Sequence, residues 1–121
     1  MKKIILITFI FFFIESVTAN QKIIKMKCDK WTYDIDYNNK KINGKDINFD
    51  HTSTINNIAF KIFNREANQL QFHTISPTKN YYHVEYYKPE AMKDYLNYSF
   101  TNKPPKEFYI DYMKIDCIRL E

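Results

Sequence analysis

Glycine is nearly absent from this sequence, since Gly44 is the only one among 121 residues. Loops that cradle phosphates, and the turns of dinucleotide-binding folds, need several closely spaced glycines because the backbone must approach the ligand closely. The sequence also contains neither a Gly-x-Ser-x-Gly elbow nor a His-Glu-x-x-His zinc motif. These absences exclude the familiar nucleotide-dependent enzymes and two well-known hydrolase classes. We therefore expect no cofactor and assign no catalytic residue.

Cysteine is almost as rare, with Cys28 and Cys117 placed towards opposite ends of the chain. Their spacing fits neither a zinc site nor a Cys-x-x-Cys redox motif. Two cysteines in an exported protein most simply form one disulfide, and the alternative is a pair of buried free thiols. A bond that closes a loop of about 90 residues would stabilise the fold by roughly 4–5 kcal/mol. The sequence thus predicts a Cys28–Cys117 disulfide that ties the first strand of the domain to the last.

Long apolar runs are lacking except at residues 4–14, which are uncharged and almost entirely apolar. This run follows two lysines, precedes small residues that end at Ala19, and is too short to span a bilayer comfortably. The arrangement is typical of a secretory signal peptide at residues 1–19, and an uncleaved anchor is the alternative. We therefore expect a secreted or periplasmic protein with a single domain at residues 20–121 and no stable membrane span after signal removal.

Charge of either sign is not strongly in excess, since 18 Lys and Arg residues stand against 14 Asp and Glu residues. So small a surplus is weak evidence for an anionic partner, and we expect no nucleic-acid ligand. The sequence is rich in asparagine, lysine, isoleucine and tyrosine. A low-GC genome tends to encode these residues regardless of the function of the protein. The tyrosines therefore count as functional signals only through their placement.

Alternating apolar and polar residues dominate the rest of the chain. Trp31, Tyr33, Ile35 and Tyr37 fall on every second position, with polar residues between them. Successive side chains of a strand point to opposite faces, so this pattern is typical of a half-buried strand. Comparable stretches occupy residues 21–28, 41–50, 58–75, 81–87, 98–101 and 107–120. Seven or eight strands in one small domain predict a mostly β fold, an antiparallel barrel or sandwich closed by the disulfide.

Three features interrupt or bend these strands. The Asn43-Gly44 pair marks either a tight turn between strands or a bulge within one. A proline followed by an acidic residue and a shared apolar face predicts one short helix near residues 89–97. In the last strand the apolar residues change phase near Tyr112, which predicts a bulge there.

Residues 55–63 fit a helical face and a strand about equally well by their periodicity. Their β-branched and aromatic residues favour a strand. It would turn at residues 64–68 and return as the second strand of a hairpin, which ends at residue 75.

The next turn, at residues 76–80, decides which side chains share a face. If it is symmetric, His73 lies opposite His83, and Glu85 lies diagonal to them. Two imidazoles and a carboxylate are a zinc or copper ligand set. The alternative is two solvated surface histidines, because a shift of one residue in the register reverses every face. The metal site is therefore a hypothesis that depends on this register.

Tyrosine placement gives a second hypothesis. Tyr81 and Tyr87 lie on the face of their strand opposite Tyr82, Val84 and Tyr86, and Tyr109 has a similar position in the last strand. Exposed tyrosines suit stacking on a sugar or anchoring a partner protein. The alternative is that both faces of a central strand are buried. We take Tyr81, Tyr87 and Tyr109 as candidate ligand-binding residues.

A leader, a disulfide-closed scaffold and the absence of a catalytic motif favour an exported, non-enzymatic binding protein. An inhibitor or an immunity-type protein belongs to this class, and its partner would be a protein or a glycan. One alternative is a small secreted hydrolase that uses a histidine-bound metal or carboxylates such as Asp34 and Asp36. Another is an envelope structural subunit. An open barrel interior would indicate a small ligand, whereas a filled one would direct attention to the outer tyrosines.

Overall fold

The computed structural model describes residues 23–120, which form one eight-stranded antiparallel sheet curled into a half-barrel. The strands follow the order β4-β3-β2-β1-β8-β7-β6-β5 across the sheet. Their bounds are β1 Ile23–Cys28, β2 Trp31–Asp36, β3 Lys41–Ile42, β4 Lys45–Asp46, β5 Ile58–Asn64, β6 Gln69–Ser76, β7 Tyr81–Tyr87 and β8 Tyr109–Leu120. A first 3-10 helix, Pro89–Asn97, and a second, Lys106–Phe108, lie between β7 and β8. The predicted fold class is confirmed, and the predicted signal peptide at residues 1–19 lies outside the described residues.

The inner face of the curled sheet carries the larger hydrophobic core. Every strand except β4 contributes to it, and the fully or nearly buried residues are Ile24, Met26, Cys28, Ile35, Ile42, Ile58, Phe60, Ile75, Tyr82, Val84 and Cys117. Tyr33 of β2 stacks on Tyr82 of β7 across the curl, with ring centroids 5.2 Å apart. After β4 the chain returns to the far edge of the sheet, where Phe49 pairs with Phe60. The interior is therefore filled by side chains.

A second core lies on the outer face of the sheet. Here the first 3-10 helix packs against β6 and β7, and the buried residues are Leu70, Phe72, Tyr87 and Ala91. Because β6 is covered on both faces, most of its outward and inward residues are buried, including the polar Gln71 and His73. The helical prediction for residues 89–97 is confirmed, whereas residues 98–101 are not a strand but a loop packed on this core.

The disulfide predicted from the sequence is present. Cys28 of β1 lies directly opposite Cys117 of β8, with Cα atoms 4.2 Å apart. Both side chains are buried in the inner core. The bond therefore joins two neighbouring strands in the middle of the sheet, and it is compatible with a secreted or periplasmic location.

Turn and bulge positions follow the sequence signals closely. Asn43 and Gly44 form a tight turn with φ of 54° and 78°, the positive values that a type I′ turn requires. The Asn43 side chain accepts a hydrogen bond from the backbone N–H of Asp34 at 2.8 Å, which holds the turn against β2. In β8 the bulge is at Ile110, because Asp111 pairs with Tyr86 while Tyr109 pairs with Tyr87. It thus lies two residues before the predicted position.

Lys61 fastens the first 3-10 helix to the sheet. Its Nζ donates hydrogen bonds to the carbonyl oxygens of Tyr95 and Tyr98 at the end of the helix. We expect Lys61→Met to lower the free energy of unfolding by about 2 kcal/mol, because two carbonyls lose a charged donor. Urea unfolding of this variant measures the loss, with Lys25→Met, on the exposed face of β1, as the control. Equal stability of both variants would contradict a fastening role.

Candidate functional site

The two histidines of the predicted metal site lie on opposite faces of the sheet. His73 pairs with Val84 and points into the inner core, whereas His83 pairs with Thr74 and lies on the outer face. The predicted register is wrong by one residue. The cause of this error is the length of the turn between β6 and β7. Ser76 pairs directly with Tyr81, so the turn contains four residues and not the five assumed in the prediction. A shift of one residue moves every side chain to the other face.

The third predicted metal ligand has other partners. Glu85 lies on the outer face and accepts a hydrogen bond from the Lys103 ammonium at 2.7 Å. It also accepts one from the Tyr87 hydroxyl at 3.4 Å. Within residues 23–120, no three His, Cys, Asp or Glu side chains are grouped so that they could hold a metal ion. The structure therefore does not bring His73, His83 and Glu85 together.

His73 is instead the centre of a buried polar network. Its Nδ1 is hydrogen-bonded to the Tyr82 hydroxyl, and its Nε2 lies 2.9 Å from Oε1 of Gln71. The imidazole also stacks on the ring of Phe60 at 5.1 Å. Because Gln71 Oε1 can only accept, the neutral ring donates through Nε2 and accepts the tyrosine proton through Nδ1. Burial lowers the pKa of His73 to about 4, so this histidine is neutral at physiological pH.

Two of the three predicted tyrosines meet in one place. The rings of Tyr87 and Tyr109 pack edge to face with centroids 5.7 Å apart, because the two residues are paired across the β8 bulge. Together with Pro104 and Lys106 they line an open depression of about 330 Å³, which we call the tyrosine groove. Tyr109 is 37% exposed, whereas Tyr87 is only 4% exposed. Sequence spacing had indicated the tyrosines but not the proline or the lysine.

The walls of the tyrosine groove are held rigidly. Tyr87 packs against Phe72 of the outer core, with ring centroids 5.3 Å apart. Burial, aided by the neighbouring Glu85 carboxylate, raises the pKa of Tyr87 to about 12, so its hydroxyl stays protonated. The backbone N–H of Lys88, just after β7, donates to the carbonyl of Phe108 at 2.7 Å. This bond fixes the segment that carries Lys106 against the end of β7.

The third predicted tyrosine lies at the other end of β7. Tyr81 lines a broader groove of about 500 Å³ on the outer face, with His83, Tyr112, Lys114, Asp116 and Lys79. The Lys114 ammonium lies 4.9 Å from the centre of the Tyr81 ring, and the His83 ring is tilted against that of Tyr112 at 5.5 Å. Burial and two nearby lysines lower the pKa of His83, although Glu85 acts in the opposite direction. We call this depression the basic groove.

The basic groove belongs to an uncovered face of a central strand. The outward residues of β8 from Tyr112 onward, here the β8 outer row, are Tyr112, Lys114, Asp116, Ile118 and Leu120. All are exposed, with Tyr112 at 57% and Ile118 at 66%. In contrast to the neighbouring outer core, no described element packs on this row. Large apolar side chains on an open face of a central strand indicate an interaction surface.

Comparison with known proteins identified no relative. No protein-family model, curated protein or solved structure matches the chain. No helix among residues 23–120 is long and apolar enough to cross a membrane.

Proposed function

We propose that this chain is an exported, non-enzymatic binding protein that holds a segment of a partner protein in the tyrosine groove. The observation that carries the proposal is the meeting of Tyr87 and Tyr109 beside Pro104 and Lys106. An inhibitor or immunity-type protein fits this description. The filled interior of the half-barrel supports an outer site in preference to a ligand cavity inside the sheet.

The chemistry of the groove indicates what its ligand would carry. Tyr109 offers an exposed ring beside the buried Tyr87 and Pro104, and tyrosine is among the residues that most often supply binding energy at interfaces. Lys106 adds one positive charge at the rim. An apolar side chain next to a carboxylate would satisfy both features. Because the outer core already fixes the walls, binding requires little ordering of the protein.

The disulfide supports the exported location, since such bonds persist in oxidising compartments. The signal-like residues 1–19 support it from the sequence. A glycan is the other ligand class, because sugar rings also stack on tyrosine. Retention of glycans but not of proteins by the groove would favour it.

Removing the exposed groove tyrosine is expected to weaken partner retention at least tenfold. In the Tyr109→Ala variant the apolar contact of the groove is lost, and truncating a hot-spot residue typically costs about 2 kcal/mol or more, which is over tenfold in affinity. The exported protein, purified from the periplasm or medium and immobilised, is challenged with proteins of the same compartment, and each retained protein is quantified. Leu96→Ala, which removes a 77% exposed side chain on the first 3-10 helix, is the matched control.

The outcome of this experiment decides between the functional classes. Equal retention by the wild type, Tyr109→Ala and Leu96→Ala would remove the groove as the binding site. Turnover of a substrate by the purified protein, lost on substitution of Asp34 or Asp36, would instead establish a hydrolase.

A further inference from the structure

The β8 outer row is self-complementary. Lys114 and Asp116 stand on either side of Ile115, and Tyr112 and Ile118 stand one step further out. If a second copy of β8 lies antiparallel to the first and is centred on Ile115, each Lys114 faces an Asp116. Tyr112 and Ile118 then also face one another. A surface with this property can pack against a copy of itself.

We propose that this chain forms an isologous homodimer through the outer face of β7 and β8. The two-fold axis lies between two facing sheets, perpendicular to β8 at the level of Ile115, so that the two β8 strands run antiparallel. Lys114 then faces Asp116 of the second copy, and Asp116 faces its Lys114. Tyr112 faces Ile118 of the second copy in the same way, and each such contact occurs twice because the interface is isologous.

The neighbouring strand obeys the same symmetry. In β7, Tyr81 is paired with Asp116, His83 with Lys114, and Glu85 with Tyr112. The axis at Ile115 therefore places Tyr81 opposite His83 of the second copy. It also places Glu85 opposite Lys79 of the second copy. Glu85 lies at the level of Tyr112, and Lys79 lies beyond Tyr81 in the same groove. Two further opposite-charge pairs result, although the cation already beside Glu85 is Lys103.

Alternative packings of this face lack such complementarity. An axis parallel to β8 would place Lys114 on Lys114 and Asp116 on Asp116, which is repulsive. Aligned sheets pack face to face with a rotation of about 30°, and the pairs nearest the axis are displaced least by it. A standard interface buries about 800 Å² on each partner. The tyrosine rings that line the basic groove would fill it in the dimer.

A charge exchange within the interface tests the proposal. The mass of the full exported protein is measured by sedimentation equilibrium from micromolar to millimolar concentration. We expect the wild type to be a dimer. The dissociation constant of the dimer should be at least tenfold higher for Lys114→Asp and for Asp116→Lys, since each substitution places like charges opposite one another. The double variant Lys114→Asp with Asp116→Lys restores opposite charges across the axis and should restore the dimer. Lys45→Asp, on the edge strand β4 and separated from β8 by three strands, is the control and should remain dimeric.

Two results would overturn the proposal. One is a monomeric wild type over the whole concentration range, and a different protein bound to that monomer through Tyr112 would assign the face to that partner. The other is a dimer that the single charge reversals leave intact, or that the double variant does not restore, because the copies would then meet elsewhere. Circular dichroism of each variant confirms that these exposed substitutions leave the fold unchanged. The result is independent of the tyrosine groove, whose variant Tyr109→Ala should remain dimeric.

Discussion

Replacing Cys28 and Cys117 together by alanine is expected to lower the free energy of unfolding by about 4–5 kcal/mol. The bond joins residues 89 positions apart, and a cross-link of this span removes much of the conformational entropy of the unfolded chain. Domains of this size are typically stable by only 5–15 kcal/mol, so the loss is a large share of the total. Urea unfolding of the oxidised wild type and the double variant measures it.

A reduced wild-type sample separates the cross-link from the packing. Reduction keeps both buried sulfur atoms, whereas alanine leaves a small cavity in the inner core. We expect the reduced protein to lose nearly as much stability as the double variant. A loss below about 1 kcal/mol after reduction would mean that the unfolded chain is already restrained, contrary to the entropic account.

Acid is expected to destabilise the protein through His73. Its pKa is about 4 in the folded state, against 6.5 for an unperturbed histidine, because burial disfavours the imidazolium. Between these pH values the unfolded chain binds more protons than the folded one, so stability rises with pH across this window. The full contribution is present above pH 6.5 and is lost as the pH falls to 4. A shift of this size corresponds to about 3 kcal/mol.

The urea midpoint, measured from pH 4 to pH 7.5, checks this expectation. His73→Gln keeps a polar group beside Tyr82 and Gln71 but cannot be protonated in this range, so most of the slope should disappear. His83→Gln, on the partly exposed outer face, should leave most of it. If the slope belonged to His83, or if the wild type were equally stable at pH 4.5 and pH 7, His73 would not be the titrating group.

Strands and cores could be predicted from the sequence because their signals are local. The alternation of Ile24, Met26 and Cys28 specifies one face of β1, and all three residues are buried. The choice of a strand for residues 55–63 was correct from residue 58 onward, since β-branched and aromatic residues favour extended backbone, whereas residues 55–57 lie before the strand. Alternation assigns a face but does not reveal what covers it. Trp31 follows the pattern of β2 and is nevertheless 45% exposed at the end of the hairpin.

Register and long-range contacts could not be read in the same way. The pairing of β6 with β7 depends on whether the turn has four or five residues, and no local signal in residues 76–80 decides between them. His73 was therefore expected on the outer face and lies in the inner core. Tyr87 and Tyr109 were singled out by their phase in the sequence, but their meeting depends on the β7–β8 pairing. Lys106 lines the same groove from the second 3-10 helix, and no sequence pattern indicated that position.

The position of the sulfur bridge also determines how the domain would respond to mechanical force. β1 begins where β8 ends, with Lys25 paired to Leu120, so both ends of the described chain leave the sheet at the same end of these two central strands. Tension applied to them would peel these two strands apart one hydrogen bond at a time, until it reached Cys28 and Cys117. Beyond that point the covalent link would carry the load, and the hairpins between the two cysteines would not be stretched. The two grooves lie between the cysteines, so tension between the chain ends would leave their shape unchanged.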